Sequence, residues 1–283
     1  MNKLPVGQTI SDAYGFTFSQ LGTIIGLIWF PMVVSTLLNF LPQLAAGYGD
    51  ATTAAGTSAI EGLAVLLLTL LLSAIMYVAV ARQALGLRQG PAVFHFALGQ
   101  PEFRVYGALL IIYFLIAVAV LAQLEAQSAG GPASTLATFI ALPGAVFLIY
   151  LAVRFGFILV PAIVAENRLD FARIWTMTRG NFWRIFAVVV AIVVPLWAVE
   201  CAGTFALMGK DIAAALPPPQ TTDPQIIQQH LVKLEDVITR HMPQLMFIWL
   251  IMAPFSLGLT LAASASAYRA LSGSVNGTRA ILA

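Results

Sequence analysis

The chain has 283 residues, of which 60% are hydrophobic and only 9% charged, and its mean hydropathy is +0.90. Soluble domains average roughly 45–50% apolar and 25% charged residues, so this composition excludes an ordinary soluble domain and predicts a polytopic membrane protein. The formal charge of +2 is too small to imply a nucleic-acid partner, and Cys201, the single cysteine, excludes an intrachain disulfide and a cysteine-based metal cluster.

Behind Lys3, residues Ile10, Tyr14, Thr17, Phe18 and Leu21 recur at helical spacing, which predicts a short helix lying in the membrane interface. The first spanning helix covers 21–41, since about 20 apolar residues at 1.5 Å each cross a ~30 Å hydrocarbon core. A cleaved signal peptide is disfavoured, because the leading segment is long and weakly basic and the apolar run exceeds an ordinary signal core. Residues 45–59 are rich in Gly, Ala and Thr and read as a loop. The second span covers 63–81 and ends at Arg82. A basic turn with Arg88, His95 and Arg104 leads to a third span at 105–124. A short loop carrying Gly130, Gly131 and Pro132 precedes the fourth span, 136–157. Apolar character resumes after Arg154 and persists to Ala165, which predicts a helix that is tilted or broken near Pro161.

An elbow studded with Arg168, Arg173, Arg179 and Arg184 follows. The fifth span, 185–209, is interrupted by Glu200 and predicted to kink at Pro195, where a backbone hydrogen bond is lost. The segment 210–244 is the long polar one. In it Asp223 and Pro224 make a good helix start, and Ile227, Leu231, Leu234 and Ile238 line one face, so an amphipathic helix resting on the membrane or on the bundle is expected. The sixth span covers 245–268, with Arg269 and Arg279 in the tail. The expected fold is thus all-α: one membrane domain over 1–283, with six transmembrane helices as three hairpins joined by amphipathic interfacial elbows.

Basic residues on alternate sides orient the hairpins. One side holds Lys3, Arg82, Arg88, Arg104, Arg154, the four elbow arginines, Arg269 and Arg279, whereas the other holds Lys210, Lys233 and Arg240. The positive-inside rule then puts both termini in the cytoplasm, predicts a bacterial inner-membrane location, and turns 210–244 to the periplasm.

A repeat runs through these corners. Arg82 is followed by Gly86 and Gly90, Arg269 by Gly273 and Gly277, and Arg154 by Gly156. The odd-numbered spans begin about 80 residues apart, which fits three successive units of elbow plus hairpin. Arg and Gly as ordinary helix-end residues explain each site equally well. The run Val160-Pro161-Ala162-Ile163-Val164-Ala165-Glu166, an amphipathic segment, and then Met177-Thr178-Arg179-Gly180-Asn181-Phe182-Trp183-Arg184 resembles the six-helix membrane domain fused to some bacterial glycerophosphodiester phosphodiesterases, and related stand-alone inner-membrane proteins. The closing Tyr268, Arg269, Ala270, Leu271 and Gly273 fits the same pattern. The resemblance implies the architecture and brings no catalytic residues. The chain has no room for the soluble phosphodiesterase barrel, so that activity is not expected of it.

Arg154 is the sharpest candidate for chemistry, because an arginine with apolar neighbours on both sides costs roughly 2.5–3.5 kcal/mol to insert unless it snorkels or finds a partner. Either it snorkels to headgroups, or Arg82, Arg154 and Arg269 converge on an anionic lipid headgroup, which Arg suits through its planar fork. Glu200 is a candidate intramembrane polar site. It lies roughly 24 Å along its helix from Arg184, near the leaflet opposite Arg154, and is expected to meet Lys210, loop groups or water. Gly22 and Gly26, and the stripe Gly258, Ala262, Ser266 and Ala270, permit close helix packing within the chain or in a homo-oligomer. Phe171, Trp175, Phe182 and Trp183 read as an interfacial aromatic belt.

Enzyme motifs are absent. Gly56-Thr57-Ser58 precedes the second span, and His95, His230 and His241 lie outside the spans, so no base is offered to a nucleophile and no cofactor is implied. The expectation is a non-enzymatic inner-membrane protein whose partners are membrane lipids or another protein, with a small transporter for an anionic or amphipathic substrate as the alternative.

Overall fold

The computed structural model describes residues 3–48, 59–88, 96–128, 143–144, 146–217 and 224–273. Gly56, Thr57, Ser58, His95, the Gly130–Pro132 turn, the expected start of the fourth span, Asp223 and Arg279 lie outside the described residues. The described chain is helical throughout: α1 Val6–Ser19, α2 Leu21–Tyr48, α3 Ala59–Ala84, α4 Gln100–Ser128, α5 Val146–Glu166, α6 Phe171–Thr178, α7 Phe182–Ala215, α8 Pro224–Arg240 and α9 Met242–Ser272. Six of these, α2, α3, α4, α5, α7 and α9, are long and apolar enough to cross a membrane. The fold is that of an all-α polytopic membrane protein.

The helices outrun the expected spans because hydropathy locates the hydrocarbon core and not the helix ends. α7 is 34 residues long, about 51 Å at 1.5 Å per residue, so it projects well beyond a ~30 Å core. Its protruding end is tied down: His241 Nε2 lies 2.8 Å from Asp211 Oδ2, and His230 Nδ1 lies 2.7 Å from the Ala215 carbonyl. α5 does not break at Pro161 but continues past 157 to Glu166, ending on Asn167 in the left-handed conformation. The irregularity sits earlier in this helix, as a π turn at Ala152–Gly156.

Packing is concentrated at one end of the bundle. α3, α5 and α9 form its centre through Ala74, Val78 and Ala81, through Ile158 and Ile163, and through Leu259, Ala262, Ala263 and Ala267. The stripe on α9 explains why the centre is tight. A side chain added at Gly258 would meet Thr17 Cγ2 at 2.8 Å and Ile24 Cδ1 at 2.9 Å, so glycine is what lets α1 and α2 close on α9. Gly22 behaves differently, with open space where a Cβ would stand. At the opposite end α3, α7 and α9 carry bulky, exposed Ile60 and Leu63, Trp197 and Phe205, and Phe247 and Trp249.

α1 turns inward a different face from the one its large residues suggest. Its buried face is Thr9, Ala13 and Thr17, while Phe18 is exposed. These small residues recur every four positions and meet the four-residue stripe of α9, with Ser266 Oγ donating to Asp12 Oδ2 at 2.9 Å. A lipid-facing apolar side chain gains little by moving into protein, so close-packing small residues decide which face turns inward.

Candidate functional site

The Arg-rich corner is built around Arg154, which is only 6% exposed. The π turn at Ala152–Gly156 holds one residue more per turn than an α-helix, and Arg154 is at its middle. All three guanidinium nitrogens are engaged. Nε donates to Thr178 Oγ1 at 3.1 Å, Nη2 donates to the Trp175 carbonyl at 3.1 Å, and Nη1 donates to the Tyr150 hydroxyl. The guanidinium also lies over the Trp175 ring, 3.3 Å from its centroid, so its charge is met by the ring's negative face as well as by oxygen dipoles. No carboxylate among the described residues pairs with Arg154, and its charge is satisfied inside the protein by hydrogen bonds and π contact.

The two oxygens from α6 are in place because this short helix is firmly started. Asp170 caps it by accepting from the Arg173 N–H at 2.9 Å, and Ile174 and Thr178 are its buried residues. The Met177–Arg184 motif then acquires a structural meaning. Thr178 holds Arg154, and Gly180 turns the chain at φ 78°, a conformation that other residues resist. Asn181 Oδ1 accepts from the Leu4 N–H at 3.1 Å, while Arg184 Nη1 donates to the Leu4 carbonyl at 3.1 Å. The motif clamps the beginning of the chain to the middle of it.

Glu166, at the end of α5, gathers a second set of partners. Its Oε1 lies 2.8 Å from Arg173 Nε and accepts from Tyr268 Oη at 2.9 Å, and its Oε2 lies 3.0 Å from Arg168 Nε. Elbow, α5 and α9 meet on this one carboxylate. Outside this set, Arg179, Trp183, Phe171 and Trp175 are exposed, and no ion pair reaches Arg179 among the described residues. Phe182 turns inward to Tyr150, with ring centroids 4.9 Å apart.

Arg82 and Arg269 are held separately from Arg154. Arg82 Nη1 is 3.2 Å from Oε1 of Glu102, an ion contact without the alignment of a hydrogen bond, and Glu102 is completely buried. The other oxygen of Glu102 accepts from the Gly99 N–H at 3.0 Å, the reach-back of a glutamate three residues into a helix. Arg269 Nη1 donates to the Ala84 carbonyl at 3.3 Å, satisfying the C-terminal end of α3. Each of the three arginines therefore has its own protein partner. Glu102 escaped sequence reasoning, although its spacing from Gly99 is a capping signal.

Glu200 lies apart from all of this. It lines an open groove between α7 and the start of α9 with Trp197, Cys201, Thr204, Phe205, Ile212 and Trp249. The expected contact with Lys210 is not made, and no hydrogen bond or ion pair reaches Glu200 from the described residues.

Fold and sites together define a multi-pass membrane protein with a densely tied, Arg-rich corner at one end and a carboxylate groove towards the other. Comparison with family models, with curated proteins and with solved structures finds no match.

Proposed function

We propose that the chain is a non-enzymatic protein of the bacterial inner membrane, with both termini in the cytoplasm, whose Arg-rich corner rests on anionic lipid headgroups. The observation that carries this reading is that Arg179 is exposed on the elbow, in the same short stretch of chain as exposed Phe171, Trp175 and Trp183. Aromatic rings favour the headgroup level and a nearby Lys or Arg contributes about 1 kcal/mol of attraction to an anionic surface. Arg82, Arg154 and Arg269 belong to this proposal as the framework that holds the corner, and the headgroup falls to Arg179 with the remaining donors of Arg168 and Arg173. The resemblance to the membrane domain of glycerophosphodiester phosphodiesterases agrees with a lipid-associated role.

The test is native mass spectrometry of the full chain released from membranes in mild detergent. Anionic phospholipid should be retained, and Arg179→Gln should lower its retention about fivefold, the equivalent of ~1 kcal/mol. Equal retention by the two proteins would sink the proposal. A second reading, a small transporter for an anionic or amphipathic substrate, draws support from the groove of about 620 Å³ at Glu200.

A further inference from the structure

The groove at Glu200 combines three features that seldom occur together by accident. The first is a carboxylate on a membrane-spanning helix with no protein partner among the described residues. Counted from Arg184, it lies roughly 24 Å along α7, still within a ~30 Å hydrocarbon core but close to its far edge. Ionisable groups at such depth pair with something or line a site. The second is an aromatic surround: Trp197, one turn before Glu200 on α7, and Trp249 from α9, itself fixed by Phe40 with ring centroids 5.2 Å apart. Indole faces attract cations. The third is lateral access, because Phe205 is 75% exposed and Trp197 is also exposed, so the groove between α7 and α9 opens sideways.

We propose that this groove binds a phospholipid with a primary ammonium headgroup, of the phosphatidylethanolamine type. The ammonium pairs with the Glu200 carboxylate and lies against the Trp197 and Trp249 rings. The Thr204 hydroxyl, one turn further toward the edge of the core, is placed to donate to the phosphate, and the acyl chains run along the exposed apolar wall of α7. Charge selects this occupant: an anionic lipid would be repelled by the carboxylate, and a lipid without a charged headgroup would leave it unpaired in a low-dielectric setting. The site is at the opposite end of the bundle from the arginine corner and does not depend on the reading given above.

The full chain in nanodiscs of phosphatidylethanolamine and phosphatidylglycerol, three to one, is released and its retained lipids counted by native mass spectrometry. The ethanolamine lipid should be retained preferentially, and Glu200→Gln should lower that retention about tenfold. Thr204→Trp, which fills the groove and leaves the carboxylate in place, should lower it as well. Retention of phosphatidylglycerol measures the arginine corner in the same spectra and should be unchanged in both variants, which also reports that they fold. Equal ethanolamine-lipid retention by wild type and Glu200→Gln overturns the proposal. So does equal retention of diacylglycerol when it replaces the ethanolamine lipid, since that would make the groove an acyl-chain site. Displacement of the lipid by millimolar free ethanolamine, bound alone, would assign the site to a soluble amine and overturn the lipid as its occupant.

Discussion

At the scale of single residues, the corner is governed by how a buried arginine is satisfied without a carboxylate. Arg154 uses a hydroxyl from Thr178, a carbonyl at Trp175, the Tyr150 hydroxyl and the Trp175 ring. These are directional contacts arranged around a planar fork, and a lysine ammonium has neither the plane nor the reach to make them all. Arg154→Lys should therefore lower stability by about 1–3 kcal/mol, the range for losing hydrogen bonds to a charged, buried group. Thr178→Val alone should cost about 1 kcal/mol, and the double variant should cost less than the sum, because Arg154 and Thr178 share one bond. Unfolding in mixed detergent micelles measures all three. Strict additivity would show that the Nε contact contributes nothing. Glu102 illustrates the other solution, a fully buried carboxylate paired with Arg82 and with its own helix N-terminus. Both groups close protein to protein, unlike Arg179 and Glu200.

At the scale of helices, the proline kink expected in the fifth span shows why contacts between elements decide local structure. Pro195 has no N–H, so the carbonyl four residues earlier, that of Ala191, loses its intrahelical donor. Tyr14 on α1 supplies the replacement, its hydroxyl lying 3.3 Å from that oxygen. Tyr14→Phe should then cost about 0.5–1 kcal/mol in the native sequence. In a Pro195→Ala background the same change should cost less, because residue 195 can then donate to Ala191 itself. Thermal unfolding in detergent tests the cycle, and an undiminished cost in the Pro195→Ala background would break the link. The same pairing explains what could be read in advance. Spans and corners were legible, since runs such as 63–81 and 105–124 are apolar on every face and flanked by Arg. Arg154 and Glu200 were legible as charges in apolar surroundings. The docking of α1 was not. Its large residues pointed one way and Thr9, Ala13 and Thr17 another, and the outcome turned on Gly258, a partner some 240 residues distant in sequence whose role is set by steric contact and not by hydropathy. Asn181 and Arg184 are likewise partners of backbone atoms at Leu4, and a backbone atom leaves no compositional trace.

At the scale of the whole molecule, the two ends of the bundle differ in packing as well as in charge. Small residues on α1 and α9, together with the ties at Arg154, Glu166 and Leu4, close the Arg-rich end, whereas the other end carries exposed bulky side chains. The orientation proposed above puts the Arg-rich end in the cytoplasm, and both chain termini with it. That assignment makes α8, whose Lys233 and Arg240 are balanced by Glu235 and Asp236, a periplasmic helix, tied to α7 where His230 meets the Ala215 carbonyl. The reactivity of a thiol on α8 tests the whole arrangement at once. Gln225 is exposed at the first turn of this helix, and replacing Cys201 by serine removes the native thiol. In that background Gln225→Cys should react in intact cells with a reagent that passes the outer membrane but not the inner one. Ser19→Cys, at the exposed end of α1 on the Arg-rich side, should react after lysis and not before. The reverse pattern would invert the protein, place the arginines at the outer leaflet, and put the Glu200 groove in the cytoplasmic one. Labelling of both sites in intact cells would mean that the hairpins do not all span, which the 34 residues of α7 would then have to accommodate along the surface. The expected pattern leaves only one arrangement, in which the anionic-lipid corner faces the cytoplasmic leaflet and the ammonium-lipid groove opens to the periplasmic one.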